Sequence, residues 1–121
     1  GIVGCDVYTP MLENDLNSQF SAAYAELYPD ELPTTQGYTG WQAVMLYNEA
    51  LKITGGDTTP AKVIEAMATV SIDTPAGKVT MSPYKDMYIG TRDFLIVRTE
   101  DTGEGISWMP IFTYEQVLMG E

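Results

Sequence analysis

The segment from Tyr38 to Thr54 constrains the fold of this chain more than any other part of the sequence. Apolar residues reach most of the way round the helix that it predicts: Trp41, Ala43, Val44, Met45, Leu46, Tyr47, Ala50, Leu51 and Ile53. Gly55 and Gly56 follow and are typical of a helix C-terminus. A helix that is apolar on nearly every side needs cover on more than one face. We therefore expect this helix to pack partly against chain outside the 121 residues of the sequence.

Two further helices are predicted, one on either side of it. An apolar stripe runs through Leu16–Tyr28, after capping and acidic residues at 13–15 and before Pro29. Thr59-Pro60 is a typical N-cap followed by a first-turn proline, and it predicts a third helix that ends near Val70.

Strand character appears at both ends of the chain. Four segments are rich in β-forming residues or alternate with a period of two: Gly1–Tyr8, Lys78–Met81, Asp93–Thr99 and Ile106–Thr113. Pro110 restricts the last strand to an edge or an irregular position. We expect turns at 74–77 and 101–105, a loop at 82–90 and a final helical turn at 114–119. The order of a strand, three helices and a β-rich hairpin region predicts an α/β fold for residues 1–121.

The charge of the chain is strongly negative, because 17 acidic residues stand against 6 basic ones for a net charge of −11. Nucleic-acid binding needs clustered lysine and arginine, whereas the basic residues here are scattered. We therefore expect no nucleic-acid partner and no attraction to an anionic membrane. No apolar run reaches the roughly 18 residues that span a bilayer, so direct membrane insertion is not expected.

Catalytic chemistry finds little support in the sequence. The absence of histidine excludes Ser-His-Asp and Cys-His catalysis and histidine-based zinc sites within this chain. Glu13 with Asp15 could form a carboxylate pair, but helix capping is the plainer interpretation. Asp101 with Glu104 resembles part of a calcium loop, but a hairpin tip explains them better. We expect no enzyme activity, no catalytic residue, no metal ion and no cofactor.

The single cysteine, Cys5, lies in the first predicted strand. The segment before it fits a lipoprotein cleavage pattern only loosely, because no basic and apolar leader regions precede it in the sequence. We expect a buried thiol on a strand, which is the usual environment of free cysteine.

Aromatic residues are more abundant than one small core requires, with eight tyrosines, two tryptophans and three phenylalanines. Some of them are expected to line a cleft for a small ligand. Tyr24, Trp41 and Tyr47 fall at helical spacing and are expected to belong to the core.

Several short motifs follow one another along nearly the whole chain. They are Asp6–Pro10, the predicted helix Leu16–Tyr28, Tyr38–Val44, Thr59–Met67 and Thr74–Met81. In this order they resemble the late part of type I periplasmic solute-binding proteins, the receptors of branched-chain amino-acid, amide and urea ABC transporters. The order of the motifs carries the resemblance, since none of them is specific alone.

The resemblance implies a two-lobed α/β receptor about three times as long as this chain. Residues 1–121 would form its C-terminal portion, beginning at a strand that crosses between the lobes, and would pack against the missing N-terminal part of the same protein. Such a receptor captures a small polar solute, here an amino acid or a related amide or carboxylate, by lobe closure. It then delivers the solute to a membrane permease, and its location is periplasmic or extracytoplasmic.

The resemblance also points to four candidate ligand-binding residues. In the family, most loops that hold the ligand's amino and carboxyl groups lie upstream of the region present here. By position, Asp6 and Tyr8 belong to the interlobe crossing, and Tyr38 and Trp41 to the start of the long helix. A hinge or packing role is the alternative for each of them.

Two other functions remain open at this point. The same fold also serves as a ligand-sensing regulatory domain, in which closure controls a regulator and no permease takes part. A self-contained, acidic α/β module that binds a protein through its aromatic surface is the second alternative.

Overall fold

A computed structural model describes residues 1–85, 87–103 and 105–118. Within these residues the chain forms three helices and five strands. The helices are α1 (Asp15–Leu27), α2 (Thr35–Ile53) and α3 (Pro60–Met67), and the strands are β1 (Val3–Asp6), β2 (Ser71–Thr74), β3 (Gly77–Tyr84), β4 (Met87–Asp101) and β5 (Ile106–Val117). The predicted α/β class, with a β-rich second half, is confirmed.

Capping side chains explain where the first two helices begin. The Asn14 side chain accepts a hydrogen bond from the Asn17 N–H at 2.8 Å, which confirms a cap in the predicted segment, and Asp15 supplies the acidic charge of the first turn. Thr34 caps α2 in the same way by accepting from the Gly37 N–H at 3.1 Å. Because this cap lies upstream of Tyr38, α2 begins earlier than the sequence predicts.

The long strand β4 lies at the centre of the sheet. It pairs antiparallel with β3 as far as Thr91 and then, from Arg92 onward, with β5. Residues 95–98 pair on the other edge with β1, and β2 extends the sheet beyond β3. In the described part of the chain β5 pairs with β4 alone, which confirms the predicted edge position of Pro110.

Two predictions for the β-rich half are wrong. Residues 82–84 and 87–90, predicted as a loop, belong to β3 and β4 and pair with each other. The predicted helical turn from Tyr114 is also wrong, because β5 continues along β4 to Val117. Met119, the last residue of that predicted turn, lies outside the described residues.

The predicted turn at Thr74–Gly77 joins β2 to β3. Gly77 adopts a φ of 99°, and a Cβ there would lie 2.5 Å from a carboxylate oxygen of Asp93. The Thr74 hydroxyl closes the turn, since it accepts from the Ala76 N–H and donates to the Gly77 carbonyl at 2.6 Å. The turn therefore presents this hydroxyl in a fixed position to Tyr38 in the core.

Two apolar clusters form the core. The first packs α2 and α3 against the β2–β3 hairpin through Leu46, Ala50, Val63, Ala66, Val70 and Val79. The second centres on Tyr8 and Tyr38, whose rings stack with centroids 4.7 Å apart and planes 12° apart. It therefore joins the end of β1 to the start of α2.

The outer face of α2 keeps the excess of apolar surface that its sequence predicts. Val44 is 67% exposed, and Tyr47 and Ile53 are exposed as well. The prediction that Tyr47 belongs to the core is therefore wrong, whereas Tyr24 and Trp41 are partly buried. Helical spacing identified an apolar face but could not show whether this chain covers it.

Asn17 holds the β1–α1 connection to the core through its buried side chain. Its carbonyl oxygen accepts from the Tyr8 hydroxyl at 2.9 Å, and its amide group donates to the backbone carbonyls of Pro10 and Leu12. Both ends of the amide are therefore satisfied within the interior.

We predict that Asn17→Ala lowers the free energy of unfolding by about 3 kcal/mol, because it leaves a hydroxyl and two carbonyls without partners. Urea unfolding followed by circular dichroism measures the change. Ser18→Ala, at the next and exposed position, is the control and should change it by less than about 0.5 kcal/mol. Equal effects of the two substitutions would contradict this role of Asn17.

Candidate functional site

A pocket of about 560 Å³ opens where the end of β1, the start of α2 and the start of β5 converge. We call it the Asp6–Trp108 pocket. Its lining residues are Cys5, Asp6, Tyr8, Thr9, Pro10, Leu32, Pro33, Thr34, Thr35, Gln36, Ile106, Ser107 and Trp108. The wall is mixed, with aromatic and aliphatic surface beside hydroxyl, amide and carboxylate groups, as is common in sites for small polar ligands.

Asp6 is the one charged residue among the described residues of this lining. Its Oδ1 atom accepts from the Val7 N–H at 2.7 Å, and the Thr35 hydroxyl lies 3.1 Å from both carboxylate oxygens. Thr35 is the first residue of α2, so the carboxylate lies at a helix N-terminus, where the helix dipole favours negative charge. The orientation of Asp6 is therefore set by two elements.

Tyr8 forms part of the floor of the pocket and provides no free polar group. Its side chain is only 2% exposed, and its hydroxyl donates to Asn17. Burial raises the pKa of Tyr8 to about 12, because the interior disfavours the phenolate form. The hydroxyl is therefore a structural donor, and the buried ring supports the pocket from behind and offers a ligand very little surface.

The other two predicted site residues lie elsewhere. Tyr38 is buried behind Tyr8, and its hydroxyl lies 2.8 Å from that of Thr74. Since the Thr74 proton goes to a backbone carbonyl, Tyr38 is the donor. Burial raises the pKa of Tyr38 as well. Trp41 lines a separate apolar groove of about 310 Å³ between α1 and α2. The structure thus brings Asp6 and Tyr8 together in one pocket, without Tyr38 and Trp41.

Several lining residues were missed by the sequence analysis. Thr34, Thr35 and Gln36 line the pocket because α2 begins earlier than predicted. The Thr34 cap is the local signal that would have found them. Trp108 comes from the far end of the chain, and only the excess of aromatic residues pointed to it.

Trp108 is fixed in the pocket wall by its neighbours. Its backbone carbonyl accepts from the Thr9 hydroxyl at 2.6 Å, which ties β5 to the segment after β1. Its ring passes over Gly4, where a Cβ would lie 3.6 Å from the nearest ring carbon. The three walls of the pocket are therefore connected by direct hydrogen bonds and packing.

Cys5 is exposed, so the prediction of a buried thiol is wrong. It does lie on a strand, as predicted, but side chains alternate along β1. Val3 and Cys5 fall on the exposed side, whereas Asp6 is partly buried. The thiol therefore borders the pocket rather than the core.

The remaining acidic residues do not form a second site in the described structure. Asp101 accepts from the Gly103 N–H at 2.9 Å and so stabilises the hairpin tip, while Glu104 lies outside the described residues. Among described residues, no three cysteine or acidic side chains are arranged to hold a metal ion. Over the same part of the chain, no helix has the length and apolar character needed to cross a membrane.

We predict that a maleimide reagent labels Cys5 of this chain in native buffer at a rate close to that of the urea-unfolded chain. Exposure of the thiol at the pocket rim is the reason, and mass spectrometry after timed quenching measures the rate. A thiol that reacts only after denaturant is added would show that Cys5 is buried.

We predict that the Tyr8 hydroxyl loses its proton at a higher pH in the folded state than in the unfolded state. Because the folded pKa of about 12 exceeds the unfolded value of about 10, the free energy of unfolding should fall as the pH rises from about 10 to 12. The tyrosinate absorbance of the wild type minus that of Tyr8→Phe should rise near pH 12. In urea the same difference should move to about pH 10, and a folded-state transition near 10 would contradict burial of the hydroxyl.

Comparison with known proteins connects this geometry to a family. A family model described as "Periplasmic binding protein" matches residues 1–104. No curated protein sequence matches the chain at a significant level.

Solved structures share the fold at low sequence identity. A solute-binding protein of an ABC transporter from Rhodopseudomonas palustris BisB5, in complex with 3,4-dihydroxybenzoic acid, has a TM-score of 0.89 and 22% identity and covers 99% of this chain. A solute-binding protein from R. palustris in complex with benzoate has a TM-score of 0.83 and 24% identity over 100% of this chain. The leucine-, isoleucine-, valine-, threonine- and alanine-binding protein from Brucella ovis, in a closed conformation, has a TM-score of 0.80 and 16% identity over 96%.

The chain spans about a third of the length of these relatives, with 32%, 32% and 31% of their chains covered. Both the family and these relatives are binding proteins. The match over residues 1–104 shows that the chain belongs to the periplasmic binding protein family, and its fold is that of a segment of the type I solute-binding proteins of ABC transporters.

Proposed function

We propose that this chain is the C-terminal part of an extracytoplasmic solute-binding receptor of an ABC transporter. Its Asp6–Trp108 pocket forms one side of the solute cleft, and the chain performs binding without catalysis. The solute is a small polar molecule, an amino acid or a related amide or carboxylate. The complete receptor delivers it to a membrane permease from the periplasm.

The observation that carries this proposal is the position of the pocket. It opens at the end of β1, the strand that the family resemblance assigns to the crossing between lobes, and it is bordered by α2 and β5. A carboxylate, three threonines and a tryptophan converge there from distant parts of the sequence. Such a mixture of oriented polar groups and an aromatic surface suits a small ligand.

The pocket supplies only part of a binding site, which fits a receptor that works by closure. A solute that contacts two lobes only when they are shut shifts the open–closed equilibrium toward the closed form. In this chain the polar groups of one wall are already oriented, because Asp6 and Trp108 are held by hydrogen bonds. The remaining contacts would come from the other lobe.

Two chemical classes of solute deserve a direct comparison. The Brucella relative is named for amino acids, and the R. palustris relatives were solved with aromatic acids. Trp108 is 42% exposed and could pack against the planar ring of an aromatic acid or the side chain of an apolar amino acid. We therefore place both classes in the test.

We predict that the complete receptor is stabilised by one of these classes. A thermal-shift screen would include L-leucine, L-valine, benzoate and 4-hydroxybenzoate. At a concentration of about 100 Kd, a binding solute adds about 2.7 kcal/mol to the free energy of unfolding. The transition temperature should therefore rise by several degrees. A receptor that no amino acid or small organic acid stabilises would contradict the proposal.

The two tryptophans provide a matched control for the location of the site. Trp108→Ala should weaken binding of the solute at least about tenfold, since it removes aromatic surface from the pocket. Trp41→Ala removes the same side chain from the separate groove and should leave the dissociation constant within about twofold. Isothermal titration calorimetry measures both, and the reverse order of effects would assign the cleft to the other groove.

A further inference from the structure

We propose that the Asp6–Trp108 pocket receives the hydrogen-bond-donating end of the solute, an ammonium or hydroxyl group, and that Asp6 is its acceptor. The carboxylate of the solute would then point away from this chain, toward the other lobe. This inference rests on the proposed function and adds the orientation of the solute and the group that selects it.

The hydrogen-bond capacity of Asp6 supports this role. A carboxylate offers about four acceptor positions. Two donors among the described residues reach it, the Val7 N–H and the Thr35 hydroxyl. The single Thr35 proton faces Oδ1 and Oδ2 at 3.1 Å and the Tyr8 carbonyl oxygen at 3.4 Å. Oδ2 has no other donor among these contacts, so at least one acceptor position is left on the side chain that lines the pocket.

The two donors also fix the carboxylate in place. The Val7 N–H belongs to the residue next to Asp6, and Thr35 belongs to the first turn of α2. An acceptor held from two directions loses little conformational entropy when a ligand donor arrives. Asp6 is therefore preorganised as an acceptor, and it accepts without reorientation of its neighbours.

The charge distribution disfavours an anion at this position. None of the six cations of the chain, all of which lie in the described residues, lines the pocket. Five of them contact side chains elsewhere: Lys52 with Glu49, Lys62 with Asp57, Lys78 with Asp73, Arg92 with Gln42 and Arg98 with Glu100. Lys85 lies over the ring of Tyr84. A solute carboxylate beside Asp6 would meet a like charge, and no cation of this chain would compensate it.

The N-terminus of α2 does not make the pocket favourable for an anionic group of the solute. Helix N-termini attract anions, and this one borders the pocket through Thr34, Thr35 and Gln36. The Asp6 carboxylate already lies within hydrogen-bond distance of Thr35 and supplies that negative charge. The helix end therefore already has a negative charge beside it, and the described lining of the pocket keeps a net negative charge.

Two pairs of probe ligands test the inference in the complete receptor. L-leucine differs from 4-methylpentanoate by its ammonium group, and 4-hydroxybenzoate differs from benzoate by its hydroxyl. Asp6→Asn keeps the shape of the side chain but removes its charge and half of its acceptor capacity. Asp73→Asn is the matched control, because it removes the same charge from an exposed residue of β2 outside the pocket.

Of the pair of ligands that binds, we expect Asp6→Asn to raise the dissociation constant of the donor-bearing member by at least about tenfold. A hydrogen bond to a charged acceptor contributes that much. The donor-lacking member should bind as before or more tightly, and Asp73→Asn should leave both within about twofold. Calorimetric dissociation constants are compared within each variant, so a partly unfolded sample changes the stoichiometry and not this comparison. The leucine pair isolates an ammonium group and the benzoate pair a hydroxyl group.

Three results would count against the inference, and they are distinct. Equal weakening of both members of a pair would show that Asp6 has a structural role and does not select a donor. An effect of Asp6→Asn no larger than that of Asp73→Asn would remove Asp6 from the site while the receptor function stands. A wild-type receptor that binds none of the four probes would instead overturn the proposed function and the inference with it.

Discussion

The stacked pair of Tyr8 and Tyr38 is the contact on which the rest of this structure depends. Each ring is buried, and each hydroxyl has a partner on a different element, Asn17 in α1 and Thr74 in the β2–β3 turn. The pair thereby links four separate parts of the chain around one contact. Because phenol groups are costly to bury without partners, the arrangement holds only when all four parts are in place.

The stacked pair also determines the geometry of the pocket. Tyr8 follows Asp6 closely in the chain, and Tyr38 lies one turn into α2 after Thr35. Stacking of the two rings therefore sets the distance between the carboxylate and the start of α2. Two of the candidate residues predicted from the sequence do not reach the pocket. Tyr38 lies behind it because its ring stacks on Tyr8, and Trp41 lies away from it because its ring packs against Phe20 of α1.

Local sequence signals predicted the positions of the three helices well. The end of the last strand and the pocket depend on contacts between distant residues and were predicted less well. The Asn14 cap and the first-turn proline Pro60 act within one turn, so they can be recognised directly in the sequence. The Thr59 side chain lies at the N-cap position but makes no capping hydrogen bond. The end of β5 pairs with residues of β4 at least 20 positions earlier in the chain, which is why a final helical turn was predicted where a strand forms. The loop was predicted because Pro83 is typical of loops, yet residues 82–84 pair with 87–89, close by in the chain. The pocket was also difficult to predict from the sequence, because Trp108 and Thr9 are distant in the chain and come together only when the sheet forms. The family resemblance pointed to Asp6 and Tyr8, and both line the pocket.

The bond from Thr9 to the Trp108 carbonyl has a consequence for the kinetics of the receptor that we propose. It joins β5 to the segment after β1, so we expect the two walls to keep their relative position when the lobes rotate. A solute can then dock on this side before the lobes shut, and its arrival rate is governed by diffusion to an already formed surface. Its residence time is governed by a different event, the reopening of the lobes.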